Sequence, residues 1–200
     1  MKVSRAQAEA NRRTILEAAA RLYRERGLAG VGVAEISREA GFTHGGFYGH
    51  FESKQALAAE ACELAFAEPL ARLQSSLAKH AGDARPFFDN YLTPRHRDQA
   101  GQGCPMPALA ADAAREQGPV PQALAQGIAS YLEALARHRP DGSRAETAND
   151  ADKARAVMSL SALVGGMVLA RATVDSAPAL SDEILTLLRR ELGAFWQRGA

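Results

Sequence analysis

Apolar residues recur along this chain every three to four positions and almost never every second one, and that period commits it to helices. Residues 6–26, "AQAEANRRTILEAAARLYRER", place Ile15, Ala18, Ala19, Leu22 and Tyr23 on one helical stripe, and Gly27 follows as a stop. "VAEISREA" buries Ile36 and Ala40 on a short second helix that ends at Gly41. Thr43 is placed to cap a third over residues 44–51, and Ser53 a fourth that starts near Lys54 and is kinked or divided at Pro69. Further helical pieces end at Pro94, at Gly118 with Pro119, and at Pro140. "TPRHRDQAGQGCP" reads as a polar loop, and "PDGSRAETAND" as a mobile surface loop. Two long helices close the chain over residues 151–173 and 181–197, the second capped by Ser181. The expected fold is all-α, about nine helices, with a three-helix head over residues 1–53 and a larger helical body over 54–200.

Composition narrows the function classes. Two cysteines, Cys62 and Cys104, are too few for a disulfide framework and stand in no CxxC or CxxH pair, so no zinc site and no other metal is expected. No run reaches the roughly 18 uninterrupted apolar residues of a membrane span, and the N-terminus lacks a signal peptide's apolar stretch, which makes the cytoplasm the expected location and a membrane partner unexpected. Residues 1–56 carry nine Lys/Arg against six acids, and the rest carries fifteen against seventeen. That asymmetry points weakly to a polyanion.

The most unusual stretch is "GFTHGGFYGHF", residues 41–51, with four glycines, two histidines and four aromatics. His44 and His50 are six apart and cannot share one ion from one helix, and no carboxylate or cysteine stands at helical spacing to help. A phosphate loop would need a strand before the glycines, and none precedes them. Neither a GxSxG nor another nucleophile–base pattern is present, so no enzyme and no cofactor is expected.

A helix-turn-helix explains more. On the third helix Phe47 and Phe51 share an apolar face, while Gly45, Gly46 and Gly49 leave the opposite arc as bare backbone, flanked by Tyr48 and His50. Three helical glycines cost about 1 kcal/mol each relative to alanine. Two explanations are open: glycines that let two helices of the same protein touch, or close approach to a DNA groove.

The stretch at residues 15–57, and above all "GFTHGGFYGHFESK", resembles the DNA-binding domain of TetR/AcrR-type transcriptional regulators. The resemblance implies a dimeric regulator, a repressor released by a small molecule, that binds a palindromic double-stranded DNA operator. It places DNA contacts on Thr43, His44, Gly45, Gly46, Tyr48, His50 and Lys54, with Tyr48 and Lys54 as phosphate contacts. Val33 and Ala34 stand where family members often carry Thr or Arg, which leaves His44 and Thr43 as the leading base readers. The last two helices would form a homodimer interface, with Gly165, Gly166 and Ala170 allowing close helix contact. A small-molecule effector would meet Phe66, Phe87, Phe88, Tyr91, Met106, Leu109, Tyr131 and Met158, each of which is otherwise an ordinary core residue. Cys104, where a new helix begins, is the candidate for an alternative: electrophile or redox sensing, favoured by a helix N-terminus but opposed by Pro105, which removes an amide donor. An all-helical enzyme and a helical scaffold without operator specificity are the competing classes.

Overall fold

The computed structural model describes residues 4–198, with only the backbone of positions 44 and 45. Its helices are α1 (Arg5–Arg26), α2 (Val33–Glu39), α3 (His44–Phe47), α4 (Lys54–Lys79), α5 (Arg85–Tyr91), α6 (Pro94–Asp98), α7 (Met106–Ala113), α8 (Pro119–Ala136), α9 (Asp150–Thr173) and α10 (Pro178–Gln197). Among the described residues there is no strand, only one isolated bridge between His138 and Arg144. The chain forms two compact units: residues up to Ala67 with Gly101–Gly127, and Glu68–Ala100 with the residues from Ile128 onward.

In the first unit α1 begins at Ser4, whose hydroxyl accepts from the Gln7 amide, and ends at Gly27, in the left-handed region at φ 75°. Ile15, Ala19, Leu22 and Tyr23, from the expected stripe, are buried. The Leu28 amide just past the helix end donates to the Asp112 carboxylate at 2.8 Å, so α7 helps to close α1. Gly127 leaves the space that the Phe66 ring fills, since a Cβ there would collide with the ring itself. The α4 helix runs unbroken through Pro69, so the expected kink or division does not stop it. A proline inside a helix costs one backbone bond, which 26 residues of otherwise continuous helix absorb.

The second unit corrects three sequence expectations. The "TPRHRDQAGQGCP" stretch is not all loop. Thr93 accepts from the His96 amide and Pro94 opens α6, because a proline that ends one helix is also well suited to begin the next. The α10 helix starts at Pro178 rather than Ser181. Ser181 is buried, donating to the Ala170 carbonyl at 2.7 Å and accepting from Arg97 at 2.8 Å, so its hydroxyl joins elements instead of capping. The 141–149 segment is ordered by a tight hairpin: the Arg139 amide donates to Ser143 O at 3.1 Å and the Ala145 amide to Arg137 O at 2.8 Å. Ala145 is buried beneath it.

Asn149 and Asp152 form a reciprocal capping box at the start of α9. The buried Asp152 carboxylate also accepts from Arg139 and Arg155, each at 2.8 Å. The Arg139 hydrogen bond chiefly, with further bonds from Arg155 and the Asn149 amide acting against desolvation, holds this carboxyl well below the usual carboxylate range. A depressed carboxyl contributes stability above its unfolded value, near 4, and loses it as pH falls. Thermal melts should therefore show a loss of stability on acidification below about pH 4 that is flatter in Asp152→Asn. At neutral pH that variant should cost about 2–3 kcal/mol, since it leaves two guanidinium groups without their shared carboxylate.

By length and composition α9 is the one helix among the described residues apolar enough to cross a membrane, though no 18-residue run in it is uninterrupted. Leu160, Leu163, Met167 and Ala170 are buried, and α9 packs along α10. Gly166 allows that packing, because a Cβ there would meet the Leu188 side chain.

Candidate nucleic-acid interface

The α2–α3 pair is held by a helix end that only glycine adopts easily. Gly41 sits at φ 80°, its amide donating to Arg38 O, while the Phe42 amide reaches back to Ser37 O at 2.8 Å. The turn delivers α3 with Phe47 fully buried and Phe51 3% exposed, stacked at 5.5 Å between ring centroids. Ile36 is buried on the same side of the head, as the periodicity requires.

The regular helix is shorter than the expected 44–51. It covers four residues, His44–Phe47, and Tyr48, Gly49 and His50 continue as a turn. The coil is not lost, since the Phe51 amide still donates to Phe47 O at 3.1 Å. Glycine at 45, 46 and 49 removes the side-chain packing that would extend the helix. Thr43 is the N-cap residue, as expected, in the extended conformation, but its side chain makes no capping hydrogen bond. Its hydroxyl is exposed and unspent on the helix end.

Gly46 in α3 and Gly49 in the turn after it bear on the two explanations left open by the sequence. At Gly46 an added Cβ would meet nothing nearer than Thr43 Oγ1 at 3.8 Å, and at Gly49 nothing nearer than Gly46 O at 3.5 Å. Neither has a positive φ. Internal packing and backbone conformation thus give no reason for glycine at either position. Tyr48 is 59% exposed with its ring edge on Phe47 at 5.1 Å, and His50 is half-buried. His44 and Gly45, both expected contacts, fall on positions whose side-chain surroundings lie outside the described residues. Lys54 donates one N–H to Leu28 O at 3.0 Å, which anchors it beside the turn that follows α1 and leaves its remaining donors.

The surplus of cations in this quarter is largely spent inside the protein. Arg12 pairs with Glu60 at 2.5 Å and lies over the Phe51 ring at 4.5 Å. Arg13 pairs with Glu17, Arg21 with Glu25 and Glu39, and Arg26 with Glu35, while Arg24 reaches Gly103 O. Arg5 and Arg38, both exposed, form no ion pair among the described residues. By residue type alone Arg12 and Arg13 are no less cationic than Arg5 and Arg38. Exposure and pairing, not count, separate them.

The sequence model of bacterial regulatory proteins of the tetR family matches residues 15–61, and the tetracyclin repressor-like C-terminal domain matches residues 84–186, just over half the chain. The chain belongs to the TetR family. It carries the N-terminal helix-turn-helix domain and the helical C-terminal domain of that family of bacterial regulatory proteins. It is 29% identical over 93 residues to the HTH-type transcriptional repressor DhaR of Mycobacterium sp., a match that covers 46% of this chain and 47% of that protein. Less than half of the length of the curated relatives is therefore matched. A TetR transcriptional regulator from Chloroflexus aurantiacus superposes with a TM-score of 0.75 at 24% identity, covering 95% of this chain and 96% of its own. The reduced form of Escherichia coli NemR does so with a TM-score of 0.74 at 22% identity over 92% and 95%. These likenesses carry the fold.

In this TetR-family chain the residues expected around an effector are distributed. Phe66, Met106 and Leu109 are buried in the first unit. In the second, Tyr91 and Tyr131 both meet Phe87, at 5.8 and 6.4 Å between centroids, and Phe88 meets Trp196 edge-on at 5.6 Å. Met158 is the exception. At 58% exposure it lines no interior, because it lies on the face of α9 turned away from α10.

That outer face of α9 is apolar. Ala154, Ser161, Gly165 and Ala172 recur at helical spacing down its centre, all exposed, bordered by Val157 and Val168 on one side and Met158 and Leu169 on the other. A Cβ on Gly165 would meet nothing within 4 Å. Gly165 and Gly166, read together as one small-residue patch, serve opposite faces, and Ala170 is buried with Gly166. Leu180 and Leu187 add exposed apolar groups on α10.

Cys104 is 2% exposed, two residues before α7. Cys62 is buried in the same unit. Burial, followed by the charges of Glu63 and Cys104, pushes the Cys62 thiol up to about 11.

Proposed function

We propose that this TetR-family chain is a homodimeric repressor of the cytoplasm that reads a palindromic operator through the α3 segment and releases it when a small molecule binds the body. The observation that carries the reading is the bare surface at Gly46 and Gly49, where the protein itself gives no reason for glycine. A DNA backbone or groove wall that must come close does give one. Thr43, His44, Gly45, Gly46, Tyr48, His50 and Lys54 are the proposed contacts, with Tyr48 and Lys54 on phosphates and Arg5 and Arg38 as additional cations. With so few side chains at the centre of α3, Thr43 and His44 carry direct base reading and DNA shape supplies the rest. In a binding-site selection, His44→Ala should change the preferred sequence, and an unchanged preference refutes its reading role.

DNA recognition is assigned to residues 1–53, and effector binding with dimerisation to 54–200. A second copy covers the outer face of α9, where Gly165 admits close contact, and two heads on one operator raise effective concentration. Phe88, Tyr91 and Tyr131 supply the apolar wall of the effector site, and ligand shifts the dimer away from the operator-competent state. A thermal-shift screen of metabolites and xenobiotics, followed by operator-release assays on the hits, tests this. Stabilising compounds should release DNA, and hits that stabilise without release contradict it.

Sensing through Cys104 is a second reading, supported by its place just before α7 in the unit that also holds Cys62. Oxidant or quinone should then release wild-type protein from DNA and leave Cys104→Ser bound. Equal release of both makes Cys104 a packing residue.

A further inference from the structure

We infer that the cleft where the second half of α4 meets the end of α8 binds a small amphiphilic organic anion, a carboxylate on an apolar body. The cleft has a volume of about 440 Å³, within the usual range of small-molecule sites. Leu70 and Ala78 of α4 and Ala134 of α8 give it apolar surface, beside the polar side chains of Gln74, Ser130 and His138. Its charged groups do not cancel. Arg137 and Glu133 form an ion pair at 2.6 Å and so neutralise each other. Outside the cleft Arg139 is committed to Asp152, and the Asp141 carboxylate accepts the Ser143 amide within the hairpin. Arg144, which lines the cleft, has no ion pair or hydrogen-bonded side-chain partner among the described residues.

The fold fixes where that cation stands. The bridge between His138 and Arg144, with the two backbone bonds that close the hairpin, sets Arg144 beside the end of α8. The hairpin rests on the 80–82 turn: a Cβ on Gly82 would lie 3.4 Å from the His138 ring, and one on Gly142 would lie 3.1 Å from Ala81 O. Both glycines have φ above 80°. A guanidinium that lines a cleft of mixed apolar and polar surface suits a carboxylate, which accepts two parallel N–H bonds from it. The site is distinct from Phe88, Tyr91 and Tyr131, and its failure would leave the operator reading untouched.

Calorimetric titration of the full-length protein with decanoate, and with decanol as the uncharged counterpart, tests the inference. Decanoate should bind, and Arg144→Gln should weaken it about tenfold. Arg144→Lys should recover part of that loss, and decanol should bind wild type and Arg144→Gln alike. Ala78→Trp, at an exposed position that fills the cleft without disturbing the core, should abolish decanoate binding while leaving the melting temperature unchanged. Decanoate that fails to bind wild type, binds Arg144→Gln equally well, or survives Ala78→Trp overturns the site.

Discussion

Gly46→Leu should leave the head folded and remove operator binding. The first added carbon makes only ordinary contacts, the nearest at 3.8 Å, and the substitution replaces the second-worst helix former with one of the best. Stability should hold or rise by up to about 1 kcal/mol, read as an unchanged or higher melting temperature. DNA affinity should fall by at least about a hundredfold, because the leucine occupies the gap through which the groove wall approaches, a loss on the order of 3 kcal/mol. Gly49→Leu should behave the same way. Gly41→Leu makes the contrast: its φ of 80° resists any side chain, so there stability itself should fall. A Gly46→Leu protein that melts normally and binds operator with native affinity would leave the bare surface without a function.

The second large effect is expected at Gly165. Gly165→Arg projects a charged side chain from the centre of the exposed face of α9, where a Cβ meets nothing within 4 Å of this chain. The protomer should fold with a near-normal far-ultraviolet spectrum, since only the outer face changes. The dimer should dissociate, because a buried, unpaired charge at a helix–helix contact costs several kcal/mol. Operator affinity should fall with it, since a single head makes half the contacts. Gly166→Arg distinguishes the two faces. There the side chain strikes Leu188, and the expected outcome is loss of the protomer fold itself. Sedimentation at micromolar concentration reads both. A Gly165→Arg variant that remains a dimer places the interface elsewhere.

How far the sequence reached depended on whether the deciding interaction was local. The stripe of α1, the buried Phe47 and Phe51, and the glycine turn at Gly41 follow from helical period and conformational preference, and each lies where the period puts it. Thr43 holds the N-cap position that its type suggests, but no side-chain hydrogen bond closes the helix end, a detail that residue type alone does not carry. Ser181 has the right type and neighbours for a cap, yet Arg97 and Ala170, far away in the chain, claim its hydroxyl. The hairpin before α9 was missed because its few residues carry no strand alternation, and the Arg139–Asp152 pair that ties it to α9 joins residues 13 apart. Within the candidate interface the same limit applied to charge. Nine basic residues suggested a cationic head, but pairs such as Arg12 with Glu60 are 48 residues apart, and only the fold separates spent cations from Arg5 and Arg38. Gly165 and Gly166 are adjacent in sequence and lie on opposite faces of α9, a distinction made by the packing of Leu188 and Leu92 against Gly166.

The most direct test of the central claim is selection of DNA sequences by the purified full-length protein, followed by hydroxyl-radical footprinting of the winner. If α3 reads DNA from a homodimer, selection converges on an inverted repeat whose half-sites lie about one helical turn or a multiple of it apart, with protection centred on each half-site. Affinity should fall steeply with salt, as phosphate contacts require. Selection that fails to converge, or converges on a single unrepeated site, contradicts the account.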